Sequence, residues 1–315
     1  MPAPLAAPAG PSGDLALDKL IIEVRVNEYA PREGNRHIPY TAHELGRDAA
    51  AAQSAGASIV HFHPRQPDGA PAHGQGDYEA TVTSIRQHSA LLLNPTLGQI
   101  TVGGSARDRL APIEQLARNP ALRPELCGID PGSTNIDVFD SVTRRFRSGD
   151  RVYANSHDTL QHFCARLREL GIKPALACWS IPFVRSACAL IEMGLIDDPP
   201  YFFFVCGEGG TLGAHPATAE GLRAFTDHLP RHRPLLWSVG CKAGNLFPLA
   251  MAAIAAGGHI AIGIGDYPYP ELNQPSNAQL VEEVVRLARL VGREVASPDE
   301  TRALLGIPER EFWSA

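Results

Sequence analysis

The sequence predicts an α/β chain closed into a (β/α)8 TIM barrel, and three observations carry that prediction. Short apolar, β-rich runs recur eight times along the 315 residues. Segments of helical periodicity lie between them. No break in composition marks a linker. Eight such units in roughly 250 residues is the count a closed barrel needs. A doubly wound open sheet is the alternative, but its first turn usually carries a phosphate-binding glycine fingerprint, and here that turn reads NEYAPREG.

The first run, LIIEVRVNEY (20–29), is unusual. Glu23, Arg25 and Asn27 share one parity, alternating with Val24 and Val26. Both faces of a barrel strand are covered, so charges on one face cost several kcal/mol unless they are paired or functional. Glu28, at the strand exit, is a further candidate carboxylate. In the helix over 41–56, Thr41 is the N-cap and Glu44 completes a capping box.

The second run, SIVHFHPR (58–65), ends in His61, His63 and Arg65, all on one face. Two imidazoles at this spacing can be a satisfied structural pair, acid/base groups or half a metal site. Active sites of barrels lie at the carboxyl ends of the strands, and that location favours the metal. Strand 3 (91–97) offers Asn94 and Thr96. The loop after strand 4 (126–132) offers Ser133, Thr134 and Asn135, which suit an anion or form a plain turn.

Helices follow at 77–88, 157–170, 182–194, 216–228 and 246–257, with strands at 173–180, 201–207 and 234–241. After strand 6, GEGGTLGAH is either a phosphate cradle or a mobile loop. Strand 8 (259–266) ends in Asp266. Gly263 and Gly265 thin the strand there, which implies that something approaches its backbone closely. Ser276 or Asn277 caps the helix over 276–292, and the stretch 297–309 reads as a capping box with a short terminal helix.

Composition narrows the function classes. The chain is 44% hydrophobic and 20% charged, with a formal net charge of −6. That supports one well-buried body over 19–315 and gives no basic patch for nucleic acid or an anionic membrane. The segment 1–18, rich in Pro, Ala and Gly, reads as a flexible tail and not a signal peptide. No run of about 18 apolar residues predicts a membrane span. Six scattered cysteines without a CxxC pair fit buried thiols in a cytoplasmic protein.

These residues resemble the β-keto acid cleavage enzyme family. The likeness rests on IPYTAHELGRDAAAAQSAGASIVHFHPRQPDG, on GIDPGSTN and on the C-terminal stretch from LFPLAMAAIAAGGHIAIGIGDYPYP to LLGIP. It implies a zinc-dependent TIM barrel, usually oligomeric, that condenses a β-keto acid with acetyl-CoA and cleaves the adduct to acetoacetate and a new CoA thioester. It also implies that His61 and His63 hold the metal and Asp266 is catalytic. Thr96, Ser133 and Asn135, with Arg65 nearby, would bind the substrate.

The chain departs from the family pattern at three places. The expected third ligand, a Glu, is Gly265; an Arg on strand 8 is Ala261; and a Glu on strand 5 becomes Ala in PALACW. Because a barrel sets strand 1 beside strand 8, Glu28, with Glu23 as second choice, is expected to complete the metal sphere, and Arg25 to replace the missing Arg. Two histidines and a carboxylate suit Zn²⁺ and would accept another divalent ion. The expected partners are a small β-keto acid, a CoA thioester and further copies of the chain as a dimer or tetramer. Alternative functions are an aldolase-like or hydrolytic cleavage without CoA, or a non-catalytic metal- or metabolite-binding barrel.

Overall fold

The computed structural model describes residues 19–97 and 105–309, so the expected tail over 1–18 lies outside them. Eight parallel strands are present: β1 (Ile22–Arg25), β2 (Ile59–Phe62), β3 (Leu92–Pro95), β4 (Leu126–Ile129), β5 (Lys173–Cys178), β6 (Tyr201–Gly207), β7 (Leu236–Lys242) and β8 (His259–Ile262). Their hydrogen-bonded order is β3-β2-β1-β8-β7-β6-β5-β4. β3 and β4, at the two ends of that order, lie side by side, so the barrel is nearly closed.

The helices are α1 (Ala42–Ala55), α2 (Gln75–His88), α3 (Ala106–Ala117), α4 (His157–Glu169), α5 (Ile181–Glu192), α6 (Ala219–Thr226), α7 (Phe247–Ala255), α8 (Asn277–Leu290) and α9 (Pro298–Leu304). Thr41 and Glu44 form the expected capping box of α1, and Ser276 is the N-cap of α8. The periodicity reading did not include α3, whose pattern Pro112 interrupts; the box of Ser105 and Asp108 starts it. No helix among the described residues is long and apolar enough to cross a membrane.

Parity along the strands sorts the interior into layers. The lowest inward layer takes one residue from each of seven strands or their starts: Ile21, Ile59, Leu92, Leu126, Ala175, Tyr201 and Leu236. Leu305, just past α9, packs into the same cluster. The C-terminal helix therefore plugs the floor, and Thr301 donates to Ser58 Oγ at 2.7 Å beneath it. The opposite strand faces, with Val24, Val60, Phe62, Leu93, Phe202 and Phe204, meet the helices in the larger cluster. One step above the floor the inward positions turn polar: Glu23 and Arg25, then His61 and Asn94, with Arg25, His61 and Asn94 side by side in register.

Between β4 and α4 the chain makes an excursion of two small antiparallel pairs, Thr134–Asn135 with Val152–Tyr153 and Phe139–Asp140 with Arg145–Phe146. The glycine-rich loop after β6 receives it. Gly210 O accepts from Phe139 N at 3.0 Å, and a Cβ on Gly213 would sit 2.5 Å from Asn135 O. The glycines there serve loop-on-loop contact.

Candidate active site

Arg25 rises from β1 into the barrel mouth and donates to three carboxylates. Nη1 reaches Glu23 at 3.0 Å, Nη2 reaches Glu28 at 2.6 Å and Nε reaches Asp266 at 2.6 Å. Its guanidinium also lies over the Phe203 ring, 4.6 Å from the centroid. Burial works against this cation, and the three carboxylates outweigh burial and hold it charged.

Glu28 joins that cluster to the histidine pair. Its Oε1 is 3.1 Å from His61 Nε2, its Oε2 is 3.1 Å from His63 Nε2, and the two Nε2 atoms are 3.1 Å apart. Asn94 O, which can only accept, is 2.8 Å from His61 Nδ1, so Nδ1 carries the proton and Nε2 turns its lone pair inward. Burial pushes the His63 imidazole down to about 4 despite the pull of Glu28, leaving it neutral at pH 7. Burial alone would raise the Glu28 carboxyl, but Arg25 and the imidazoles hold it well below the usual carboxylate range.

The backbone explains why strand 8 ends in glycines. A Cβ on Gly263 would collide with Arg25 O, and one on Gly265 would lie 2.7 Å from Asn27 C and Glu28 N. The exit of β1 occupies the space into which a side chain at 265 would project. Glu28 delivers its carboxylate from that exit with φ at +40°, a left-handed conformation that costs an L-residue on the order of 1–3 kcal/mol. Asn27 pins the arrangement: Oδ1 accepts from His63 N at 3.0 Å and Nδ2 donates to His63 O at 2.8 Å.

The mouth encloses a cavity of about 120 Å³, small beside the roughly 300–1,000 Å³ of pockets for drug-sized ligands. Of the residues singled out in the sequence, Arg25, Glu28, His61, His63, Asn94, Thr96 and Asp266 line it. Arg65, Ser133 and Asn135 are not among the lining residues. Arg65 donates to Gly69 O at 2.8 and 2.6 Å and to Ala30 O at 2.6 Å, and lies over the Tyr40 ring. Ser133 Oγ is taken up by the backbone of Asn155, and Asn135 is exposed on the excursion.

Among the lining residues that escaped the sequence reading are Asp130, Tyr153, Trp179 and Lys242. Asp130, Trp179 and Lys242 stand at the carboxyl ends of β4, β5 and β7, so the rule that picked Asp266 would have found them. Asp130 was masked by the turn signature Asp-Pro-Gly, and Tyr153 arrives from the far end of the excursion, which no periodicity announces.

The donor set fits a divalent cation. Glu28, His61 and His63 are a group whose ligand atoms lie within 4.8 Å of one another. Edges of 3.1 Å match donors that share one ion at about 2.0–2.2 Å. The charges agree: Arg25 is one buried cation against the carboxylates of Glu23, Glu28 and Asp266. Carboxylates thus outnumber the cation paired with them, which suits a bound cation.

Comparison with known proteins agrees with this geometry. The family model described as beta-keto acid cleavage enzyme matches residues 19–307. Two proteins named 3-keto-5-aminohexanoate cleavage enzyme, from Acetoanaerobium sticklandii and Fusobacterium nucleatum, are each 32% identical over 295 residues, spanning 92% of this chain and 99% of theirs. The 3-oxoadipate:acetyl-CoA acetyltransferase of Cupriavidus necator is 28% identical over 299 residues, 93% of this chain and 96% of its own. Among solved structures, ObcA in its binary complex with oxaloacetate superposes with a TM-score of 0.69 at 18% identity, covering 87% of this chain and 68% of that one. That last likeness supports the fold.

Proposed function

The chain belongs to the β-keto acid cleavage enzyme family, and we propose that this cavity condenses a β-keto acid with acetyl-CoA, releasing acetoacetate and a new acyl-CoA, with a divalent ion, zinc first, held by Glu28, His61 and His63. The observation that supports this reading most is the meeting of Glu28 with both Nε2 atoms, 3.1 Å from each, beside the Arg25–Asp266 pair.

When bound, the ion supplies Lewis-acid polarisation of the keto acid's carbonyl and carboxylate. Asp266, whose Oδ2 is held by Arg25 Nε at 2.6 Å, takes a proton from the carbon between those two groups. The carbanion attacks the thioester carbonyl of acetyl-CoA and CoA thiolate leaves. Return of the thiolate to the original keto carbon breaks the bond to the central carbon. The new acyl-CoA departs, and Asp266 returns its proton to acetoacetate. Arg25 keeps Asp266 oriented throughout, and Thr96 offers a hydroxyl to the substrate. Arg65, Ser133 and Asn135, which do not line the cavity, are left out of these steps.

The free cysteines Cys127, Cys164, Cys178, Cys188, Cys206 and Cys241 support a cytoplasmic setting. Exposed Val142, Phe146 and Val152 on the excursion, with Leu212, support a homo-oligomer.

The test is to incubate the zinc-loaded protein with a panel of β-keto acids, with and without acetyl-CoA. Acetoacetate formed only with acetyl-CoA is the expected result. Product without CoA would turn the reading to an aldolase-like or hydrolytic cleavage, and binding without turnover to a metabolite-binding barrel.

A further inference from the structure

The net charge of −6 averages over an uneven chain, because residues 144–151 carry four arginines against one aspartate. Arg144, Arg145, Arg147 and Arg151 lie on the excursion between β4 and α4, and all four are exposed. None of them forms an ion pair or a side-chain hydrogen bond among the described residues. Two neighbouring carboxylates are taken up by backbone. Asp140 Oδ1 accepts from Val142 N and Thr143 N at 2.9 Å each. Asp137 accepts from Val138 N at 2.9 Å, from Ser148 N at 3.1 Å and from Gly149 N. The hairpin thus presents a block of uncompensated positive charge.

Conformation and place both single this hairpin out. Phe139 stands opposite Phe146 and Asp140 opposite Arg145, and Arg147 N extends the ladder by donating to Val138 O at 3.0 Å. Side chains alternate faces along it, so Arg145 and Arg147 share one face. Phe146 takes the other, its ring centroid 5.5 Å from that of Phe139. Arg144, at the tip, has a φ of +56°, where Gly or Asn fits at lower cost. The hairpin stands beside the mouth: Phe139 N donates to Gly210 O in the loop after β6, and Tyr153, which ends the excursion, lines the cavity. Arg32 and Arg65, on the loops after β1 and β2, are already engaged, the first by Glu44 and the second by Gly69 O and Ala30 O.

The cavity holds about 120 Å³, well below the roughly 300–1,000 Å³ that encloses a drug-sized ligand, so a CoA thioester can place only its acyl end inside. Its nucleotide and phosphates then lie on the outer face of the mouth. Resting on the reading above, we infer that Arg144, Arg145, Arg147 and Arg151 form the docking site for the 3′-phosphate and diphosphate of acetyl-CoA. Guanidinium forks match phosphate oxygens with paired N–H donors. The pantetheine arm runs from there past Tyr153 into the cavity. Phe146, on the opposite face of the hairpin, is left for contact between copies of the chain. Exposed charge pairs are individually weak and screened by salt, so the arginines act together, and they set the affinity for the thioester and not the rate of the bond-making step.

The experiment uses three thioesters that share one acetyl group: acetyl-CoA, its 3′-dephospho form and acetyl-pantetheine, which lacks every phosphate. Each is paired with the β-keto acid that wild type turns over best. In wild type the KM for acetyl-CoA should lie at least about tenfold below that for acetyl-pantetheine, the worth of one hydrogen bond between charged groups. The dephospho form should fall between them, with kcat alike for all three. In the double variant Arg145→Glu, Arg147→Glu the KM values should converge. Arg289→Glu, the same kind of charge change near the C-terminal end of α8, should keep them apart. Calorimetry with adenosine 3′,5′-bisphosphate reads the site without turnover, and the expected result is binding in wild type that salt weakens and the double variant loses. Equal KM values in wild type would overturn the inference and leave the reaction standing. A double variant that keeps the spread, or a bisphosphate that binds both proteins alike, would also overturn it. Bisphosphate binding that the double variant loses, with no acetoacetate from any keto acid, would leave the phosphate site standing and bring down the proposed reaction instead.

Discussion

At Glu28 the backbone and the chemistry pull in opposite directions. Its φ of +40° is unfavourable for any side chain with a Cβ, yet the carboxylate touches Arg25, His61 and His63 at once. Glu28→Gln keeps the shape and removes the charge. It should weaken zinc binding by at least about tenfold to hundredfold, the cost of altering even an outer partner of a metal ligand, measured by competition with a chelating dye. A zinc-bound crystal structure with both Glu23 and Glu28 away from the ion would overturn the assignment. A second carboxylate gives a pH signature. Burial in α1 pushes Asp48 up to about 7 despite the hydrogen bond from Asn277 at 2.7 Å, while the unfolded group titrates near 4. Between those values the folded chain holds a proton that the unfolded chain has released. The contribution to stability is therefore full below about pH 4 and is lost as pH rises through 7. Asp48→Asn should remove this loss, so its unfolding free energy from urea titration should exceed that of wild type at pH 8, by up to about 4 kcal/mol, and the gap should shrink toward pH 4.

At the scale of elements, β1 and β8 share one volume between them. The charged parity of Glu23, Arg25 and Asn27 was legible because a barrel strand has no solvated face on which to spend charges, and the two glycines of strand 8 were legible as a close approach. Which backbone approached was not, because that depends on register: Ile22 opposite Ile260 and Val24 opposite Ile262 bring the β1 exit over Gly265. Asn27, one of the three inward residues, proved to be a clamp on His63, a role that parity cannot distinguish from ligation. Gly265→Glu, which would place a carboxylate where the family resemblance expects one, should destabilise the fold by about 1–3 kcal/mol or more through overpacking. Chemical unfolding measures it, and a variant as stable as wild type with tighter zinc binding would refute the steric account.

At the scale of the molecule, the alternation of strands and helices announced the barrel, since each unit is local in sequence. Less was legible where the chain leaves that rhythm: α3 behind its Pro112, the excursion that carries Tyr153 back to Asp130, and the apolar floor sealed by α9. The polar mouth then rests on a rigid plug, and filling it acts on the fold as a whole. Because the proposed ion would meet its three ligands only in the assembled mouth, zinc at a hundredfold excess over its dissociation constant should add about 2.7 kcal/mol of stability. A chelator should remove that increment in a thermal melt, and Glu28→Gln should show little of it.

The crowding between Gly265 and the Glu28 backbone also bears on descent. With both carboxylates present the two strands collide, and with neither present the imidazole pair has no acidic companion. On the proposed ligand assignment, moving the acidic ligand from β1 to the end of β8 therefore has no single-step route: Gly265→Glu alone gives a misfit, and losing Glu28 alone removes the carboxylate that meets both imidazoles.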